Sequence, residues 1–374
     1  MAREADSPPM SDLPTKMTAV YLTGHGGFEK LEYRNDVPVP TPGPNEIVLR
    51  VGAAGVNNTD INTRIGWYSK SVTSGTGTGG DEGYGEDVSD DGGWAGEGLN
   101  FPRVQGADAA GTIVAVGSNV DSGRLGQRVL VRSMQTTGPR DDANALITMG
   151  SEIDGGFAQY CCVASREAFE IRSDLTDIEL ASFPCAYSTA EAMLHRVGLA
   201  DGETVLITGA SGGVGSAAVQ LAKRRGATVI GVASQSKWDE VRALGADRLL
   251  GRDADVVAEL GRDSLDVVVD VVAGPTWPAL LDVLRRQGRY VCAGAIAGPI
   301  VELDVRTLYL KDLTLLGSTY QPREVFENLV RYIERGEIVP IIAATYPLED
   351  IVRAQEDFLA KSFAGKLVLV PPAD

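Results

Sequence analysis

An α/β fold with a doubly wound parallel sheet is predicted for the second half of this chain, on three observations. A glycine-rich turn, Gly209–Gly215, separates a short apolar run, Thr204–Thr208, from a helical pattern that reaches Lys223 without a breaker. Further apolar runs follow at Val229–Ala233, Leu265–Val272, Gly288–Cys292 and Leu313–Leu316. The segments between them have helix length, and strands alternating with helices build a parallel sheet through right-handed crossovers.

The order strand, tight turn, helix N-terminus makes an anion site. Backbone amides of the turn and the helix dipole face the same point, which suits a pyrophosphate. Gly212 allows close backbone approach to such a group, with Gly213 and Val214 opening the helix, and Gly215 allows the helix to pack on the strand. Ala210 stands where the usual G-x-G-x-x-G has its first glycine, so the strict fingerprint is broken. For the cluster alone, a glycine-rich turn of some other α/β protein remains the alternative. The strand–helix alternation supplies the context that the turn needs.

The stretch GETVLITGASGGVGSAAVQLAK (202–223) resembles the signature of quinone oxidoreductases related to ζ-crystallin, within the medium-chain dehydrogenase/reductase superfamily. The likeness extends through VGAAGVNNTDINTRIGWY (51–68), VQGADAAGTIVAVGSNV (104–120), GQRVLV (126–131), GGFAQY (155–160) and AGKLVLVP near the C-terminus. It implies a Rossmann-type doubly wound parallel sheet plus a mainly β GroES-like catalytic domain. The implied catalytic domain covers residues 17–172, starting with a strand at Met17–Leu22. The nucleotide-binding domain covers 173–320. Residues 321–374 then return to the catalytic domain through a helix near Pro322–Arg335 and a last strand, Lys366–Val370.

Composition sets limits. The length of 374 residues suits two domains, and 44% hydrophobic with 23% charged residues is ordinary for a globular protein. A net charge of −17 argues against a nucleic-acid surface, which needs clustered Lys and Arg. No apolar run approaches the ~18 residues of a membrane span. The polar, Pro-rich start MAREADSPPMSDLPTK (1–16) offers no apolar core for a secretory signal, and a disordered extension is expected there. Four cysteines, with Cys161 and Cys162 adjacent in an expected strand, do not make a disulfide framework. A cytoplasmic protein with inert, reduced cysteines is expected.

One stretch is out of character. Residues 69–100, SKSVTSGTGTGGDEGYGEDVSDDGGWAGEGLN, are rich in Gly, Ser and acids and lack periodicity. Such a segment cannot offset its ordering entropy unaided. It reads either as a surface insertion or as a lid anchored over a substrate by Trp67, Tyr68, Tyr84 and Trp94.

Zinc alcohol dehydrogenases of the superfamily hold their catalytic metal with Cys, His and Cys. The matching positions here are Asn57, Ala107 and Cys185, and residues 132–155 contain no cysteine for a structural zinc lobe. One thiolate does not hold a catalytic zinc, so no metal is expected. Cys185 reads as a small buried residue, and His195 as a structural residue in a helix. For the cofactor, a ribose-binding acid is expected about 20 residues past the glycine turn in NAD enzymes. The chain has Ser234 there, with Lys237 just beyond, and Asp239 is expected a turn into the helix. A hydroxyl and an ammonium favour the 2′-phosphate of NADPH. The resemblance further implies backbone contacts from Gly294, Ala295, Gly317 and Ser318, and side-chain contacts from Thr189 and Lys366.

For the reacting centre, the resemblance points to Asn57, Asp60 and Tyr68. Asn57 is expected to donate its amide to substrate or nicotinamide, and Asp60 to hold the loop by accepting backbone amides. Tyr68 matches the proposed proton donor of 2-enoyl thioester reductases, although packing of the insert is an equal reading, and Tyr187 is a second possible donor. The expected activity is hydride transfer from NADPH to a quinone or α,β-unsaturated carbonyl compound. The alternatives are reduction of a 2-enoyl thioester, and a non-catalytic NADPH-binding structural role. A homodimer is expected through Pro299–Val305, whose alternation suits an edge strand.

Overall fold

The computed structural model describes residues 13–85, 88, 90–137 and 142–373. Six parallel strands form one sheet in the spatial order Arg248–Leu250, Thr228–Val232, Thr204–Ile207, Leu265–Asp270, Leu284–Cys292, Thr314–Gly317. In chain order this is 3-2-1-4-5-6, which places a ligand crevice beyond the carboxyl ends of the first and fourth strands. Val205 lies between Val229 and Val267, all fully buried. Helices cover both faces, so the central strands read as continuous apolar runs. Arg248–Leu250 has no such run, being three residues long at the sheet edge with an exposed Arg248.

The second lobe is mainly antiparallel. Its long strand Glu46–Gly55 pairs with Ala110–Val116, Tyr160–Ala164 and the last strand, Lys366–Val370. This final pairing, Val368 opposite Gly55 and Leu369 opposite Ala54, carries the chain's end back to its beginning. It puts Lys366 beside residues 55–57. The first strand runs from Lys16 to Leu22, so Lys16 is part of the lobe; residues 1–12 of the expected extension lie outside the described residues.

One apolar core joins the lobes. Leu130 and Phe169 of the β-rich lobe pack in one cluster with Phe183, Tyr187, Ile207 and Phe326. The helix Arg323–Glu334 buries Val325, Phe326, Leu329, Val330 and Ile333 on one face, and Phe326 meets Phe169 at 4.8 Å between ring centres. Aromatic pairs of this kind add ~0.5–1.5 kcal/mol beyond area burial. Among the described residues no helix is long and apolar enough to cross a membrane.

The edge-strand reading of Pro299–Val305 is corrected. Residues 299–304 form no strand, and Val305 opens a short helix, Val305–Leu310. The Asp304 carboxylate accepts the Arg306 amide at 3.0 Å, a cap that outweighs the alternation of side chains.

Candidate active site

The helix Asn58–Ile65 starts at Asn57, which is extended, and stops at Gly66, whose φ of 73° suits only glycine without strain. Asp60 fixes the entry. Its Oδ2 accepts the Asn57 amide at 2.7 Å and its Oδ1 the Ala107 amide at 3.1 Å. The first contact closes the helix start on itself, and the second ties it to the loop 105–108. Burial pushes the Asp60 carboxyl up to about 7, the Asp108 carboxylate adding to the rise while the Asn57 and Ala107 amides and Lys366 oppose it.

Beside this turn lies a buried polar cluster. The Lys366 ammonium donates to Asn57 Oδ1 at 2.5 Å, to Asp108 Oδ2 at 2.9 Å and to the Val56 carbonyl at 3.0 Å. Asn57 Nδ2 donates to Asp108 Oδ2 at 2.8 Å and to the Gly55 carbonyl at 3.2 Å. Asp108 Oδ1 accepts the Cys185 amide at 2.6 Å. Every donor of the ammonium and the amide is thereby used, as a buried charge requires.

These side chains do not fit a zinc ion. Of the three positions at issue, Asn57 is bonded to an ammonium and Ala107 has no ligand atom. The third, Cys185, carries a thiol that burial and the neighbouring Asp108 push up, so it stays protonated. The Asp108 carboxylate is already neutralised by Lys366. Among the described residues no group of three or more His, Cys, Asp and Glu is placed to hold a metal.

Tyr68 lies near Cys185. Its hydroxyl donates to Thr59 Oγ1 at 2.9 Å, and its half-buried ring meets Trp67 and Trp94 edge-on at 5.7 and 6.3 Å. Burial pushes the phenol up, so it is protonated at neutral pH and able to donate. Tyr187 is excluded as an alternative donor. It is wholly buried, gives its hydroxyl hydrogen to the Val339 carbonyl at 2.6 Å and accepts from Gln220 at 2.9 Å. The expectation for Asn57 is corrected too, because both amide hydrogens are spent on Asp108 and Gly55.

The glycine turn forms a cradle. Gly209 has φ 59°, and a Cβ on Gly215 would meet the Gly209 carbonyl oxygen at 2.1 Å. The helix Gly213–Arg224 therefore packs as closely as only glycine permits. The amides of Gly213, Val214 and Gly215 begin that helix and have no intrahelical carbonyl to bond. The Lys366 stem passes Gly213, where a Cβ would lie 3.1 Å from Cδ, and the Gly365 amide donates to Ser211 O at 3.0 Å. Cradle and polar cluster are thus neighbours. On the facing wall, Gly294 and Ala295 follow the strand Leu284–Cys292, and Gly317 ends the outermost strand. The Ser318 amide donates to Cys292 O at 2.8 Å. Thr189 Oγ1 accepts from Gln321 Nε2 at 3.2 Å, and Gln321 Oε1 is buried with no partner in the structure. That orphaned acceptor suits a carboxamide.

Three cations meet at the far end of the cleft. Lys237 Nζ donates to the Lys361 carbonyl at 2.6 Å, and burial together with Arg252 lowers its pKa. Burial and Lys237 push Lys361 down to about 7. Among the described residues none of the three has an ion-pair partner within 4.0 Å. Ser234 is half-buried at the end of Thr228–Val232. Asp239 is 97% exposed and pairs with Arg242, so it leaves this point free. The cluster suits a phosphomonoester.

Sequence reasoning passed over Asp108, Lys361 and Arg252. Asp108 had a signal, being the one acid next to the vacant ligand position Ala107. Lys361 had none, since it meets Lys237 only across 124 residues of chain.

Residues 43–173 match the alcohol dehydrogenase GroES-like domain family, and residues 213–335 match the zinc-binding dehydrogenase family. Quinone oxidoreductase from Lama guanicoe is 28% identical over 95% of this chain and 97% of its own. Acryloyl-coenzyme A reductase from Metallosphaera sedula is 28% identical over 94% and 99%. A solved structure from Sinorhizobium meliloti 1021, provisionally an alcohol dehydrogenase, is 46% identical, with a TM-score of 0.87 over 97% of this chain and 99% of that one.

Proposed function

The chain belongs to the medium-chain dehydrogenase/reductase superfamily and is an oxidoreductase, and we propose that it is a metal-free, NADPH-dependent reductase of quinones or α,β-unsaturated carbonyl compounds. The observation that carries this reading is the buried Lys366 ammonium, bonded to Asn57 and Asp108 where zinc relatives keep their metal. A simple carbonyl has no conjugation to spread the developing charge and gains most from a strong electrophile at oxygen, such as a metal. A conjugated acceptor spreads the developing charge and needs only a hydrogen-bond donor.

When bound, the nicotinamide supplies the hydride. The chain's own residues do the rest. Gly213, Val214 and Gly215 offer amides to the diphosphate, with Gly212 leaving room for it. Ser234 and Lys237, joined by Arg252 and Lys361, hold the 2′-phosphate. Backbone at Gly294, Ala295, Gly317 and Ser318, with Thr189 and Gln321, forms the nicotinamide wall. Asp60 positions the Asn57 turn, and Lys366 sets a fixed positive charge beside it. The Tyr68 phenol donates to the substrate oxygen in place of Thr59.

The quinone oxidoreductase relatives support the quinone reading. The acryloyl-coenzyme A reductases favour a second one, reduction of a 2-enoyl thioester. A homodimer fits the exposed Ile300, Val305, Tyr309 and Leu310, which adjoin the open edge of Thr314–Gly317. NADPH oxidation measured with 1,4-benzoquinone, an alkyl enone, crotonyl-CoA and a simple aldehyde tests the class. Turnover of quinone or enone is expected, and turnover of the aldehyde alone would refute the proposal.

A further inference from the structure

The insert at 69–100 is absorbed by no step above, yet it is tied to the rest of the chain at several points. Trp67 Nε1 donates to Ser74 O at 2.9 Å, and Thr76 Oγ1 donates to Asn62 Oδ1 at 3.0 Å, which braces the insert's first part on the Asn58–Ile65 helix. The Thr76 amide reaches across to Ile296 O at 3.2 Å, on the loop that follows Gly294 and Ala295. Gly75 lies so close to that loop that a Cβ would come within 2.4 Å of the same carbonyl. The insert therefore bridges the two lobes at the nicotinamide end of the cleft.

Its last part presents one side chain. The Trp94 amide donates to Ser151 Oγ at 3.3 Å and the Ala95 amide to Glu152 Oε1 at 2.9 Å. The turn is closed by the Gly93 amide on Glu97 O at 2.9 Å and the Gly96 amide on Gly93 O at 3.0 Å, with Gly96 at φ 82°. Held from both sides, the half-buried Trp94 ring stands nearly perpendicular to the Tyr68 ring, which meets Trp67 in the same way. The three rings make one continuous uncharged aromatic wall, and Tyr68 within it lies near Cys185. By sequence the insert carries seven acids and one base, Lys70, and of the described acids Asp81, Glu82, Asp90 and Glu97 are exposed while Asp91 is half-buried.

We propose that Trp94 is a specificity-determining residue, by which the insert commits the site to flat, uncharged conjugated acceptors and against anionic thioester carriers. This rests on the reductase reading above. An aromatic wall gains most from a planar ring system laid against it. A carrier bearing phosphates meets the exposed acids of the same insert, and like charges raise the cost of approach.

The test compares wild type, Trp94→Ala and Trp94→Phe with 1,4-benzoquinone and crotonyl-CoA, and measures NADPH binding by fluorescence as a readout independent of turnover. Trp94→Ala should lower kcat/KM for the quinone about tenfold, mostly through KM, and narrow the quinone preference by a similar factor. Trp94→Phe should recover most of it, and NADPH affinity should stay within about twofold in both. If the alanine variant keeps the wild-type ratio of the two acceptors, Trp94 does not set specificity, while the reductase reading stands. A wild type that reduces neither quinone nor enone would defeat that reading, and this inference with it.

Discussion

Lys366 Nζ lies 2.9 Å from Asp108 Oδ2, with side chains 4% and 0% exposed. The two residues lie 258 positions apart in the chain and are brought together by the pairing of the last strand with Glu46–Gly55. An ammonium so placed fixes the orientation of Asn57 and neutralises Asp108, and the metal-free reading proposed above rests on it.

Removing one partner of this pair exposes the cost of the other. Lys366→Met should destabilise the protein by about 3–5 kcal/mol, because Asp108 is left buried without its cation. Adding Asp108→Asn should recover part of that loss. Urea unfolding of the single and double variants measures the coupling, and additive losses would mean that the pair is not a unit.

The glycine turn separates packing from binding. Gly215→Ala places a methyl 2.1 Å from a carbonyl oxygen and should cost ~1–3 kcal/mol of stability. Gly212→Ala meets nothing nearer than 3.5 Å, at φ −78°. It should leave the unfolding midpoint almost unchanged and weaken dinucleotide binding, because its methyl stands where the phosphates approach. Thermal melts with and without NADPH distinguish the two.

Much of this was legible in the sequence. Buried parallel strands advertise themselves as unbroken apolar runs, and the glycine turn is dictated by local geometry, so both could be read from neighbouring residues. Tertiary partners could not. Asn57 looked free to donate because Asp108, 51 positions away, was not known to claim its amide hydrogen. Tyr187 looked available because Gln220 and Val339 lie far along the chain. Pro299–Val305 alternates like a strand, yet one capping Asp304 turns it into a helix start. The insert lacked periodicity because its order comes from contacts with Asn62, Ser151, Glu152 and Ile296 rather than from its own pattern.

Cofactor preference should depend on the cation cluster. Lys237→Ala should raise the apparent KM for NADPH at least about tenfold while that for NADH changes little. Steady-state kinetics with both dinucleotides check it, and equal effects on the two would remove the 2′-phosphate from this site.

Asp60 should leave a signature in the pH dependence of stability. Its folded carboxyl titrates at about 7, above the ordinary value near 3.8, so the folded state holds an extra proton between those limits. The sign follows: its contribution to stability is greatest below pH ~4 and declines as pH rises towards 7. Asp60→Asn should flatten that decline in urea titrations from pH 5 to 8, while lowering stability overall, since an amide NH2 must face the Asn57 or Ala107 N–H.

Metal content measured by elemental analysis on the same sample assayed for NADPH-dependent enone reduction, before and after exhaustive chelation, tests the account most directly. Full activity with far less than one zinc per chain, unaltered by chelator, is the expected result. Stoichiometric zinc in the active protein, with turnover lost on chelation and restored by zinc, would contradict it.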